Sequence, residues 1–150
     1  MMKINYCEDF VQLADIGEPE LVQVVDLIQP HIDVIRQSFS SSSAEGMCLT
    51  ASRIFNDCLR KNGFRAVILQ GDIPLGENSW LEHHVSLVSL SSYFVVVDFT
   101  ASQLDRYDSV VVLVLVCRQN KDLLRQALQS AYDWWFPALT SESVPHLKAA

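Results

Sequence analysis

The chain has few basic residues. Lys and Arg number 11 against 18 Asp and Glu, which gives a formal net charge of −7 at pH 7. Proteins that bind nucleic acids or anionic membranes carry stripes or clusters of Lys and Arg, and no such stripe stands in this sequence. The composition therefore disfavours both nucleic acid and membrane as partners.

Long apolar runs are also missing. The longest extends only from Val110 to Cys117, whereas a membrane-spanning helix needs about 20 apolar residues. The run therefore indicates a buried strand. Residues 1–9 lack the apolar core of a secretory signal peptide, and we expect a cytoplasmic protein.

Closely spaced cysteines are absent as well. The four cysteines, Cys7, Cys48, Cys58 and Cys117, include no C-x-x-C pair. Such pairs are typical of zinc sites, and dense cysteines are typical of the disulfide frameworks of small secreted domains. The sequence therefore favours free thiols in a reducing compartment.

The chain has enough apolar residues for one sizeable core. Of its 150 residues, 49% are hydrophobic and 19% are charged, which is the composition of a folded domain. We predict a single domain over residues 1–150, with a helical N-terminal part at about 18–40, a core at about 44–117 and a C-terminal helix at about 121–136. Pro30 either kinks the first helix or begins a second one.

The core is predicted to contain one helix and about four strands. Helical spacing of apolar residues predicts the helix at 47–61, and runs bounded by turn residues predict strands at 64–70, 80–90, 93–99 and 109–117. The short Ser91-Ser92 connection makes the second and third strands an antiparallel hairpin. Helices that flank a mostly antiparallel sheet predict the α+β class.

Cys48 lies where the core helix is predicted to begin. Ala51, Phe55 and Leu59 share its helix face, and Asn62-Gly63 is a typical stop signal. A thiolate in a first helical turn meets backbone N–H groups without intrahelical acceptors and the positive end of the helix dipole. Cys48 is therefore a candidate nucleophile.

Two histidines and one aspartate lie on the predicted hairpin. If the turn is tight, paired residue numbers in the two strands add to about 183, so Asp98 falls within a residue or two of both His83 and His84. Cysteine, histidine and aspartate in this order are the parts of a thiol-based acyl-transfer site. Adjacent strand residues point to opposite faces, so the histidine pair is a poor metal site. No metal ion or organic cofactor is expected.

These motifs make the chain resemble the papain/transglutaminase-like cysteine enzymes, and within them the papain-fold bacterial toxins and glutamine deamidases. The resemblance covers roughly residues 44–105. The matching helix start is Gly46-Met47-Cys48, and the matching helix stop is Asn62-Gly63-Phe64. The head of the apolar strand is His83-His84-Val85. The strand end has the form Asp-x-Thr-x-x-Gln, as Asp98-Phe99-Thr100-Ala101-Ser102-Gln103.

The resemblance implies a role for each site residue. Cys48 would be the nucleophile, His84 the base and Asp98 the group that orients the histidine. His84 is chosen because the catalytic histidine of the family usually directly precedes the apolar run. His83 is the alternative base and otherwise lies on the solvent side, and Gln103 is a supporting or alternative group.

One feature of the papain-type site is missing. The glutamine that donates to the oxyanion hole stands a few residues before the cysteine, but here that stretch holds only serines and Ala44-Glu45. The backbone N–H of Cys48 would have to serve, together with a second donor that the sequence does not identify.

The resemblance implies a glutamine deamidase or a transglutaminase-like enzyme that acts on a protein target. The alternatives are a cysteine peptidase of the same fold and a non-catalytic papain-fold binding module. The expected partners are a protein or peptide that carries the amide and, for a toxin, an inhibitory or immunity partner. The toxin type also implies an effector that is delivered without a classical signal peptide.

Overall fold

The computed structural model describes residues 2–6, 18–37, 47–76, 78–107 and 110–133. Within them lie three α-helices, five strands and two short 3-10 turns, at Ala101–Gln103 and Asp105–Tyr107. Among the described residues, no helix combines the length and apolar character needed to cross a membrane. In chain order the helices and strands are β1 (Met2–Tyr6), α1 (Pro19–Gln37), α2 (Cys48–Lys61), β2 (Arg65–Gly76), β3 (Ser79–Ser89), β4 (Tyr93–Asp98), β5 (Val112–Arg118) and α3 (Lys121–Tyr132).

The strands form one sheet in the order β1-β5-β4-β3-β2. Strands β2 to β5 pair antiparallel, and β1 pairs parallel with β5 at the edge. The predicted α+β class, with four antiparallel strands, is confirmed. Strand β1 was not predicted, although its residues alternate apolar and polar in the manner of a half-buried strand.

The predicted hairpin register is confirmed. Ser86 lies opposite Val97 and Ser89 lies opposite Phe94, so paired residue numbers add to 183. By the same register, Asp98 falls opposite Val85. The tight connection at residues 91 and 92 sets this register, because a short turn leaves the strands no room to slip.

Helices cover both faces of the sheet. Residues on one face pack with α1 and α2, and residues on the other pack with α3. A strand that is buried on both faces has a continuous apolar sequence, which explains the long run in β5. The first cluster includes Leu21, Ile28, Phe55, Leu59, Val88, Val95 and Val97, and the second includes Val85, Leu87, Val96, Leu124, Leu128 and Tyr132.

Helix α2 ends where the sequence predicted. Gly63 has φ +83, the left-handed conformation that glycine adopts without a steric penalty. Its N–H donates to the carbonyl of Arg60, and the N–H of Phe64 donates to that of Leu59. These two bonds form a Schellman motif, which provides donors to carbonyl groups that would otherwise have none at the end of the helix.

Two predicted strand boundaries are corrected, and an alternative that the sequence left open is decided. Strand β2 continues to Gly76 instead of ending at Gly71, and it accommodates Pro74 because it is an edge strand. Helix α1 continues through Pro30 as a single helix, so no second helix begins there. Strand β5 begins at Val112. Residues 38–43, a serine-rich segment that the sequence indicates as a polar linker, and the end of the predicted C-terminal helix, from residue 134, lie outside the described residues.

Asn56 is buried in α2, and neither polar atom of its side chain has a hydrogen-bond partner among the residues that the structure describes. Burial of an amide without hydrogen bonds costs about 1–3 kcal/mol. We expect Asn56→Leu, which keeps the branched shape, to raise the free energy of unfolding by about 1 kcal/mol in urea denaturation. The exposed Asn62→Leu is the control. A lower free energy for the Asn56 variant would show that the amide is hydrogen-bonded in solution.

Candidate active site

Cys48 is the first residue of α2, as predicted, and it is buried. The preceding Met47 makes no side-chain cap bond. The first helical bond that follows runs from the N–H of Ala51 to the carbonyl of Met47 at 2.9 Å. The backbone N–H groups of residues 48–50 therefore precede the helical ladder, and they point toward any anion at the helix start.

A buried ion pair joins β3 and β4. Nε2 of His83 lies 2.7 Å from Oδ2 of Asp98, and the two side chains are 0% and 1% exposed. Their meeting follows from the register, because Asp98 lies opposite Val85 and His83 is the next residue on that face of β3. This pair is the most deeply buried polar contact of the site.

Asp98 has further donors that hold it as a carboxylate. Its Oδ1 accepts from the backbone N–H of Thr100 at 2.8 Å and from the Thr100 hydroxyl at 3.2 Å. Its Oδ2 also accepts from the Tyr132 hydroxyl at 2.8 Å. Burial by itself would raise the pKa of Asp98, but His83 and these hydrogen bonds outweigh it and lower the pKa.

His83 is held in its protonated form. Burial alone would lower the pKa of its imidazole, but the charge of Asp98 and the hydrogen bonds to Asp98 and Cys48 raise the pKa to about 9. With Nε2 occupied by Asp98, Nδ1 is the nitrogen that remains for other partners, and Nε2 of Gln103 lies 3.0 Å from it. Cys48 also raises the pKa of His83, so thiol, imidazole and carboxylate are electrostatically coupled.

The predicted pairing of Asp98 with His84 is wrong. Asp98 pairs with His83, and His83 is fully buried instead of lying on the solvent side. The register explains the correction, because Asp98 shares a sheet face with odd-numbered residues of β3. That signal was present in the sequence, but the family pattern favoured the other histidine.

His84 contacts the same thiol from a more exposed position. Its Nδ1 lies 3.3 Å from Sγ of Cys48, and its side chain is 11% exposed. Its Nε2 lies 3.6 Å from Oε1 of Glu82. Burial lowers the pKa of His84. The negative charge of Glu82 acts to raise this pKa, and the positive charges of His83 and Arg53 act to lower it further. Cys48 therefore contacts one imidazole that favours the charged form and one that favours the neutral form.

Gln103 reaches the site from the 3-10 turn after β4. Its Nε2 lies 3.0 Å from Nδ1 of His83 and 3.3 Å from Oγ1 of Thr100. In neutral His83, Nε2–H donates to Asp98 and Nδ1 accepts from Gln103. In the imidazolium form, Nδ1–H donates to the Cys48 thiolate and the amide of Gln103 keeps its bond to Thr100. Gln103 thus bonds the imidazole directly in its neutral state.

Tyr132 belongs to this site and was not predicted. It is the last residue of α3, and its hydroxyl reaches Asp98 from an element distant in sequence. Helical spacing from Leu124 and Leu128 places Tyr132 on the buried face of α3. No pattern in the sequence shows that its hydroxyl meets Asp98.

Removal of the Tyr132 hydroxyl is expected to destabilise the fold. A hydrogen bond to a charged group contributes about 1.5–3 kcal/mol, so Tyr132→Phe should lower the free energy of unfolding by about 2 kcal/mol in urea denaturation. Tyr107→Phe is the matched control, because the Tyr107 hydroxyl donates to the neutral carbonyl of Ala131 at 2.8 Å. Equal losses in the two variants would contradict a charged Asp98.

The arrangement fits acid–base chemistry at sulfur. In the described part of the chain, no cluster of three His, Cys, Asp or Glu side chains is placed to hold a metal ion. Comparisons of the chain with protein-family models, with curated proteins and with solved structures found no significant match. The geometry of Cys48, His83, Asp98 and His84 is therefore the basis on which a function can be assigned.

Proposed function

We propose that this protein is a cysteine-dependent amide hydrolase or acyltransferase of the papain/transglutaminase-like type, with Cys48 as nucleophile, His83 as base and Asp98 as the residue that orients His83. One observation carries the proposal: the thiol at the start of α2 lies 3.3 Å from Nδ1 of His84 and is electrostatically coupled to His83, whose Nε2 lies 2.7 Å from the buried carboxylate of Asp98. Thiol, imidazole and carboxylate linked in this order are the parts of an activated cysteine nucleophile.

His83 suits the role of base better than His84 does. The carboxylate of Asp98 fixes its ring and stabilises the imidazolium that forms when Nδ1 takes the proton of Cys48. The carboxylate beside His84 is that of Glu82, which is 62% exposed and lies 3.6 Å from Nε2, and the pKa of His84 is lowered by its burial. The proton of the thiol therefore goes to His83.

The reaction begins with the thiolate of Cys48 attacking the carbon of an amide carbonyl. The C–S bond forms as the carbonyl electron pair moves to oxygen, and the oxyanion lies against the N–H groups of the helix start. His83 then gives its proton to the leaving amine, and the C–N bond breaks. Water attacks the thioester to complete hydrolysis, whereas an amine would complete transfer.

We infer that the amide belongs to a glutamine side chain of a protein target. The support is the resemblance of Asp98 through Gln103 to the strand end of the glutamine deamidases, and the position of Gln103 beside His83. Peptide-bond cleavage by a cysteine peptidase of the same fold is the alternative within this chemistry.

The first test is the rate of iodoacetamide alkylation of Cys48 between about pH 5 and 9, with each site located by peptide mass spectrometry. A free cysteine thiol has a pKa of about 8.5 and is inert well below it. We expect fast labelling of Cys48 below pH 7, with Cys58 of the same helix as the internal control. If Cys48 is as slow as Cys58, the chain is a binding module and not an enzyme.

A product assay then separates the reactions. A glutamine-containing peptide should release ammonia, and in the presence of hydroxylamine it should yield the hydroxamate. The Cys48→Ala variant is the control that should form neither product. Cleavage of the peptide backbone without release of side-chain ammonia would favour the peptidase.

A further inference from the structure

The proposed function needs two hydrogen-bond donors to the oxyanion, and the start of α2 supplies only backbone N–H groups. The backbone N–H of Cys48 lies beside the attacked carbon in any thioester formed on its sulfur. Enzymes of acyl transfer usually add a second donor from a side chain, and the papain-type glutamine is missing from the stretch before Cys48. Among the described residues, the candidates for that role are the side chains close to Sγ.

The side chains near the thiol differ in whether they can donate a hydrogen bond to a substrate oxygen. His83 is committed to Asp98 and to the proton of Cys48. The Gln103 amide nitrogen lies within bonding distance of His83 and of the Thr100 hydroxyl. His84 has Nδ1 at 3.3 Å from Sγ, and its ring, unlike that of His83, is partly exposed. A substrate carbonyl that arrives from solvent therefore meets His84 first.

His84 also has the right protonation for a donor. The charges that face it are Glu82, His83 and Arg53, and with burial their combined effect lowers its pKa, so the ring is neutral near pH 7. A neutral imidazole carries a single N–H. When Cys48 is a thiolate, that hydrogen is favoured on Nδ1, the atom facing sulfur. A neutral imidazole can polarise a carbonyl without giving up its proton.

We propose that His84 is the second oxyanion donor of the site, with Nδ1–H directed at the thiolate in the resting enzyme and at the carbonyl oxygen in the transition state. This inference rests on the proposed function. As the C–S bond forms, the negative charge moves from sulfur to oxygen, and the N–H of His84 follows it by a small rotation of the ring. The proton stays on Nδ1, so His84 is not a base.

The test compares two reactions of Cys48, of which only one forms an oxyanion. Acetylation by p-nitrophenyl acetate passes through an oxyanion, whereas alkylation by iodoacetamide displaces iodide at a saturated carbon and forms none. The ratio of the two rate constants cancels changes in the amount of thiolate. Both adducts are located on Cys48 by peptide mass spectrometry, and the burst of p-nitrophenolate gives the acetylation rate.

We expect His84→Ala to lower the ratio of acetylation to alkylation about 10²–10³-fold, the usual loss for one oxyanion donor. His84→Asn should restore most of it, because the Asn amide nitrogen occupies the place of Nδ1 and cannot act as a base. An unchanged ratio in His84→Ala, or a ratio in His84→Asn as low as that in His84→Ala, would overturn the assignment of His84 as a donor and leave the proposed function intact. A wild-type Cys48 that is slow in both reactions would overturn the proposed function as well.

Discussion

His83→Gln is expected to slow the acetylation of Cys48 by about 10²–10⁴-fold, the usual contribution of a general base. It should also abolish fast alkylation of Cys48 below pH 7, because the imidazolium that pairs with the thiolate is lost. Glutamine is chosen because its Nε2 can keep the bond that His83 donates to Asp98. The measurements are the burst of p-nitrophenolate and the pH profile of iodoacetamide labelling.

The matched control for this prediction is His84→Gln. If His83 is the base, the pH profile of alkylation changes far more in His83→Gln than in His84→Gln. The opposite result would restore His84 as the base, as the sequence resemblance predicted. Circular dichroism and urea midpoints of both variants show whether a loss of rate is a loss of fold, since a carboxylate left unpaired in the core destabilises by about 3–5 kcal/mol.

In the Cys48→Ala variant, which has no thiol to lose a proton in the same range, the free energy of unfolding is expected to fall as pH rises from about 6.5 to 9. The pKa of His83 is raised from 6.5 to about 9 on folding, so in this range the folded chain binds a proton that the unfolded chain has lost. Stability therefore falls with pH, by roughly 3 kcal/mol in all. On the acid side the sign reverses. The pKa of Asp98 is lowered by folding. The stabilisation that the Asp98 carboxylate gives the fold is therefore present above the ordinary pKa of Asp, and it is lost as the pH falls through the lowered pKa of the folded state.

Asp98→Asn should remove most of this pH dependence, because the charge that raises the pKa of His83 is gone. Asp133→Asn is the control, since Asp133 also lies 2.7 Å from a cation, Arg106, but is 60% exposed. Exposed ion pairs contribute about 1 kcal/mol or less. Urea denaturation at several pH values measures both variants. A Cys48→Ala stability that stays constant from pH 6.5 to 9 would show that His83 is neutral in the folded protein.

Much of the fold was predictable because it depends on local signals. Helical spacing of apolar residues and the Asn62-Gly63 stop predicted α2 within a residue, and the short Ser91-Ser92 connection predicted the β3–β4 register. The length of β2 was not predictable in the same way. Gly71 and Pro74 resemble loop residues in sequence, but the neighbouring strand β3 holds them in an extended edge strand.

The sequence by itself determined the helix start at Cys48 and the sheet face that Asp98 shares with His83, because each depends on residues close in the chain. Tertiary structure decided the rest. Only packing brings the thiol of α2 to both histidines and the hydroxyl of Tyr132 to Asp98. Only burial decides that one imidazole is charged and its neighbour neutral, because the balance between desolvation and a nearby carboxylate depends on what surrounds each ring.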